Sequence, residues 1–125
     1  FILIFERTIN NDTIAQIVEN AGESRDLVLS AFAEKVATGV QDNEAVIDEK
    51  IEQNIHGWKM SHLSRVSLAL LRLAIYEMMY EKEIPLSVSI NEVVDLAKKY
   101  GGSEDAPFIN GVLGSVAKEL EPQNA

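Results

Sequence analysis

Between Ser61 and Pro85 the chain carries apolar residues on two opposite sides of one helical repeat, and no other segment constrains the fold as much. Leu63, Val66, Leu70, Leu73 and Met78 form one stripe, and Leu68, Leu71, Ile75 and Met79 form a second that faces away from it. A helix apolar around most of its circumference satisfies both faces only by being surrounded. The segment from about His62 to Lys82 is therefore expected at the centre of the molecule, opened by Ser61. Pro85 stops it, because the ring lacks a donor and biases Ile84 away from helical backbone.

The remaining segments read as the shell around that centre. Phe1 to Arg7 looks like the tail of a helix, broken by Asn10, Asn11 and Asp12 before a short segment from Thr13 to Asn20 that Ala21-Gly22 ends. Ser24 is the expected N-cap of an amphipathic helix from about Arg25 to Val40, with Asp26 in its first turn and Leu29, Phe32, Val36 and Val40 at three- and four-residue steps. Asn43 caps the next segment, whose Ile47, Ile51 and Ile55 share one face. Gly57 stands where a left-handed residue closes a helix. Ser89 is expected to cap a helix with Ile90, Val93, Val94 and Ala97 on one side, ended by Gly101-Gly102. Ser103 is expected to cap the last helix, with Pro107 in its first turn and Ile109, Val112, Leu113, Val116 and Leu120 as its stripe, before Pro122 closes it. Sustained polar and β-branched alternation is missing, so the fold class is all-α, one compact helical domain over residues 1–125.

Composition narrows the function classes. A chain of 125 residues makes one domain, and 46% hydrophobic with 25% charged residues supports a real core. With 0 Cys, thiolate catalysis, cysteine zinc sites and iron–sulfur ligation are excluded, and the chain suits a reducing cytoplasm. No apolar run reaches the roughly 18 residues of a membrane span, so a soluble cytoplasmic protein is expected. The chain opens on Phe1-Ile2-Leu3-Ile4-Phe5 without an initiator methionine, and a preceding segment is expected. The net charge of −9 opposes polyanion binding. The charge is uneven, however: residues 1–56 hold 4 basic and 11 acidic side chains, residues 57–125 hold 7 and 9.

No catalytic constellation stands out. His56 and His62 flank a helix break and lack the spacing of a helical metal pair, so no metal site is expected. Glu49 and Glu52 read as a solvated face. Asn110-Gly111-Val112-Leu113-Gly114 lacks the Lys-Ser/Thr of a phosphate loop and follows no strand. The residues point to a non-enzymatic binding domain without a cofactor. Lys59, Arg65, Arg72, Lys98, Lys99 and Lys118 supply cations in the less acidic half, and Phe108 at a helix start could stack on a base or act as a helix-entry staple.

Longer stretches carry a more specific signal. Leu71-Arg72-Leu73-Ala74-Ile75-Tyr76-Glu77-Met78, Ile84-Pro85, Ile90-Asn91-Glu92-Val93-Val94-Asp95-Leu96-Ala97-Lys98-Lys99-Tyr100-Gly101 and Phe108-Ile109-Asn110-Gly111-Val112-Leu113, with Trp58 ahead of the long helix, resemble in order and spacing the NusB transcription antitermination family. The resemblance runs back through Phe5 and covers essentially the whole chain.

It implies two packed three-helix bundles and a factor without catalytic activity. Such a factor binds the boxA element of ribosomal RNA transcripts together with the ribosomal protein NusE, within the RNA polymerase antitermination complex. By position, Phe5 and Phe108 match the family's RNA-binding aromatic pair, Glu104 and Asp105 fall in the polar loop beside it, and Arg72 and Lys99 are added to the RNA surface. The family's arginine-rich arm would lie just before Phe1 and is absent from these 125 residues. Tyr76, Glu77, Met79, Tyr80, Glu81 and Glu83 at the end of the long helix put aromatics beside carboxylates, a complement to a basic ribosomal protein, with core packing the other reading of Tyr76 and Met79. Two other readings stand beside this one: the RNA-binding domain that precedes some ribosomal RNA cytosine methyltransferases, and a structural helical module. A homodimer formed through the apolar N-terminal segment is a further expectation.

Overall fold

The computed structural model describes residues 1–24 and 31–120. Seven α-helices are seen among them: α1 (Ile2–Asn10), α2 (Ile14–Ser24), α3 (Ala31–Asp42), α4 (Glu44–Asn54), α5 (Arg65–Tyr80), α6 (Leu86–Tyr100) and α7 (Asp105–Leu120). A single 3-10 turn spans Met60–His62, and the described residues contain no strand. Helices α1, α2 and α3 pack on one another, as do α5, α6 and α7. The two three-helix bundles meet because α5 also lies against α1 and α3, while α4 rests on both α5 and α7.

The central position of α5 follows from its two stripes. Leu68, Leu70, Leu71, Leu73, Ile75 and Met78 are all buried, so both faces find partners. Ala69 and Ala74 are fully buried between them and let neighbouring helices approach closely. The shell helices contribute the stripes expected of them: Val36 and Val40 from α3, Ile47 and Ile51 from α4, Val93 and Ala97 from α6, and Ile109, Val112, Leu113 and Val116 from α7. Gly39 is needed for α3 to reach α5, since a Cβ there would sit 2.5 Å from the Tyr76 ring.

Several boundaries differ from the sequence reading. Ser61 lies in the 3-10 turn, and α5 is opened instead by Ser64, whose extended backbone (φ −65°, ψ 156°) lets its side chain accept from the Ser67 N–H. Pro85 opens α6 rather than stopping α5, which ends at Tyr80 with the Glu81 N–H donating to the Glu77 carbonyl. Ser89 is consequently not a cap; it is buried inside α6. Ser103 is likewise displaced: α7 starts at Asp105, and the Phe108 N–H donates to the Glu104 carbonyl. Ala21-Gly22 does not end α2, which runs on to Ser24. Arg25, Asp26, Leu29, Pro122 and the side chain of Phe32 lie outside the described residues. Asn11 (φ 60°) takes the left-handed conformation that closes α1, whereas α4 ends at Asn54 on an Ile55 cap outside that region and the left-handed Gly57 (φ 82°) lies in the turn beyond it.

One charged cluster crosses the apolar interior. Arg72, midway along α5, grips Asp48 of α4 through Nε–Oδ1 and Nη2–Oδ2 contacts of 2.9 Å each, reaches Glu44 at 3.4 Å, and donates to Thr8 Oγ1 of α1 at 3.3 Å. Arg7 of α1 closes the network on Glu44 at 2.9 Å and donates to the Asp12 carbonyl. The planar fork matches the carboxylate edge, which an ammonium does not. Arg72→Ala leaves half-buried Asp48 without its partner and Glu44 with Arg7 alone, and should cost about 2–3 kcal/mol in urea denaturation, with Arg72→Lys recovering only part of it. An Arg72→Ala loss below about 0.5 kcal/mol would show the network to be dispensable.

Candidate nucleic-acid interface

Phe108 is set on the first turn of α7, half-buried, because Pro107 can occupy that turn without losing a needed donor. Its ring meets Trp58 at 5.7 Å between centroids, inclined by 61°. Trp58 in turn meets His62 at 6.5 Å and 79°. The loop that carries Trp58 leaves α4 through Gly57, and the Trp58 N–H donates to the Ile55 carbonyl. Trp58 remains 56% exposed, beside a hollow of about 540 Å³ that Glu104, Asp105 and Phe108 also line.

Asp105 organises this corner. Its Oδ1 accepts from Ser64 Oγ at 2.9 Å and from Ser67 Oγ at 2.8 Å, and its Oδ2 accepts from the Gly102 N–H at 2.7 Å. Burial pushes the carboxyl up, but the Ser67 hydroxyl, the Gly102 N–H and the Ser64 hydroxyl outweigh it and hold Asp105 below its ordinary range. The start of α5 and the start of α7 are thereby locked together. Glu104, next to it, is exposed; its carbonyl accepts from the Phe108 N–H, and its carboxylate has no hydrogen-bond partner among the described residues.

The six residues assigned to RNA by sequence do not form one patch of direct contacts. Glu104, Asp105 and Phe108 come together with Trp58 and His62. Phe5 belongs to another aromatic group: it stacks on Phe1 at 5.6 Å, Phe1 meets Tyr100 at 5.4 Å, and Lys99 Nζ lies 5.2 Å over the Tyr100 ring. Arg72 is in neither group. Its guanidinium is consumed by Asp48, Glu44 and Thr8, which makes it a strut between helices rather than a free cation. Trp58, His62 and Tyr100 escaped the sequence reading as site residues. Trp58 stands far along the chain from Phe108, and helical periodicity carries no information about a loop-to-helix contact of that kind.

The surface assigned to a protein partner is largely interior. Tyr76, Glu77 and Glu81 are 7%, 6% and 6% exposed, because other elements supply their polar partners. Ser89 Oγ donates to Glu77 Oε1 at 2.9 Å, Lys35 Nζ lies 3.4 Å from Glu81 Oε1, and the Tyr76 hydroxyl faces the same oxygen at 3.5 Å. Burial pushes the Glu77 carboxyl above its ordinary range, against the Ser89 hydroxyl and with help from Glu92 and Glu81. Met79 is half-buried, while Tyr80 and Glu83 are exposed.

Comparison with known proteins agrees with this architecture. The NusB family model matches residues 3–118. A protein of Clostridium novyi named transcription antitermination protein NusB is 38% identical over 120 residues, covering 93% of this chain and 90% of its own length. A protein of the same name from Acetivibrio thermocellus is 45% identical over 118 residues, covering 93% and 81%. The solved structure of T. maritima NusB superposes with a TM-score of 0.78 at 33% identity, covering 94% of this chain and 84% of that one.

Two substitutions test the polar groups described above. Asp105→Ala removes the shared acceptor of three donors and should cost about 1–3 kcal/mol. Because the Asp105 carboxyl is held low when folded, its contribution is complete above the ordinary aspartate range and is lost as pH falls through the depressed value. Asp105→Asn should therefore flatten the acid limb of a stability-against-pH curve, and an unchanged limb would contradict the assignment. Glu77 carries the opposite sign: its folded value is raised, so stability from this group is complete below the ordinary glutamate range and is lost as pH rises through the raised value. Glu77→Gln, which keeps the acceptor for Ser89, should leave the protein at least as stable at pH 7 by thermal denaturation; clear destabilisation would mean that the charge itself is needed.

Proposed function

This chain belongs to the NusB family, and from that premise we propose that it is a transcription antitermination factor that binds the boxA element of ribosomal RNA transcripts together with the ribosomal protein NusE. The observation that carries this reading is the match to proteins named transcription antitermination protein NusB along nearly the whole chain. The role is binding rather than bond-making, carried out in the cytoplasm within the RNA polymerase antitermination complex. It asks of the protein a surface that stacks on unpaired bases and a surface that holds a second protein.

Phe108 and Phe5 supply stacking rings in this reading, Lys99 supplies charge to the phosphate backbone, and Glu104 offers a free acceptor to base amino groups. Asp105 acts through position, by fixing the loop that presents Glu104 and the turn that presents Phe108. Arg72 holds the helices in register. NusE docks on the exposed part of the α5 end, at Tyr80 and Glu83, with Tyr76, Glu77 and Glu81 supporting that face from within. The excess of acidic side chains suits a basic ribosomal protein.

Titration of a fluorescently labelled boxA-type RNA, beside a scrambled RNA of equal length and with or without NusE, tests the proposal. The expected result is a preference for boxA that tightens with NusE and weakens roughly tenfold on Phe108→Ala. Equal affinity for both RNAs in the presence of NusE, or no binding to either, would overturn it.

A further inference from the structure

We propose that Trp58 is a further base-stacking residue of this RNA surface, seated beside Phe108; the inference rests on the RNA-binding reading above. Exposure argues first. Trp58 is 56% exposed whereas Phe108 is half-buried, so the indole offers an approaching base more open ring surface than the phenyl does. Indole is the largest stacking platform among the side chains.

The ring is also held ready. Gly57 at φ 82°, the Trp58 N–H bond to Ile55 and the inclined rings of Phe108 and His62 on either contact fix its place before any ligand arrives. At 5.7 Å and 61°, Trp58 and Phe108 are too close and too steeply inclined to admit a base between them. A base therefore stacks on the open indole surface over the adjoining hollow.

Charge selects what enters. Glu104 and Asp105 line that hollow with no Lys or Arg among its lining residues, which repels a phosphate and admits a neutral ring. Lys59, adjacent to Trp58 in sequence, and Arg65, at the start of α5, are exposed and make no ion pair among the described residues. Exposed cations on the loop that bears Trp58 and at the start of the helix that follows it suit a single strand, with phosphates on the cations and an unpaired base on the ring.

Trp58 is the single tryptophan of the chain, so its own fluorescence reports on the contact. The test titrates the protein with a single-stranded boxA-type RNA while following both RNA anisotropy and tryptophan emission, and repeats the anisotropy with Trp58→Phe, Trp58→Leu and Phe108→Leu. Stacking predicts quenching that saturates together with the anisotropy, near-normal affinity for Trp58→Phe, and a roughly tenfold loss for Trp58→Leu as well as a loss for Phe108→Leu. Circular dichroism of the variants separates loss of contact from loss of fold. RNA binding with unchanged emission and full affinity in Trp58→Leu would overturn this inference and leave the RNA-binding reading standing. Absence of RNA binding by anisotropy, with or without NusE, would overturn both. Quenching by an apolar protein partner but not by RNA would assign the ring to a protein contact and overturn the stacking role.

Discussion

The contact between Arg72 and Asp48 is the constraint on which the rest of this structure depends. A helix as apolar as α5 could slide or rotate among its neighbours, since hydrophobic burial is not directional. A single guanidinium at its middle removes that freedom. The fork onto Asp48 sets the register of α4, the bond to Thr8 sets α1, and Glu44 is shared with Arg7, so helices of both bundles are indexed to one residue of α5. With α5 indexed, its first turn has a defined place, and Ser64 and Ser67 can hold Asp105 and the start of α7. The aromatic corner at Phe108 and Trp58 inherits its geometry from an ion pair elsewhere on the same helix.

What could be read from the sequence, and what could not, divides by the range of the interaction. The burial of α5 was legible because its apolar stripes lie within one segment, and the all-α class followed from the same periodicity. The stripes of α4, α6 and α7 were legible for that reason too. Ser64 was not distinguishable from Ser61, because the choice is made partly by Asp105, which is 41 positions away in sequence. Glu77 and Glu81 looked like surface because glutamate at a helix end is commonly wet, while Tyr76 stood between surface and core. They are interior because Ser89 and Lys35 arrive from α6 and α3 to satisfy them. Arg72 looked like a free cation for the same reason, with its partner Asp48 24 positions away.

The candidate site follows the same division. The family resemblance brought out Phe108, Glu104 and Asp105 together, as an aromatic residue and the polar loop beside it. It did not separate their roles: Asp105 spends both oxygens on the protein, whereas Glu104 keeps its carboxylate free. Nor could it unite Phe108 with Trp58 and His62, which lie on a loop whose path depends on a left-handed glycine and a 3-10 turn. Short-range chemistry marks candidates, and tertiary contacts assign them work.

The packing of α2 has a further consequence. This helix lies mainly against α1 and α3, away from the central α5. Its Ile14 and Ile17 are buried, and α2 joins the core through α1 and α3. Free energies of local opening scale with such connectivity, so α2 can detach while the helices around α5 stay closed. Amides of α2 should then exchange with solvent through partial opening, and those of α5 only through global unfolding.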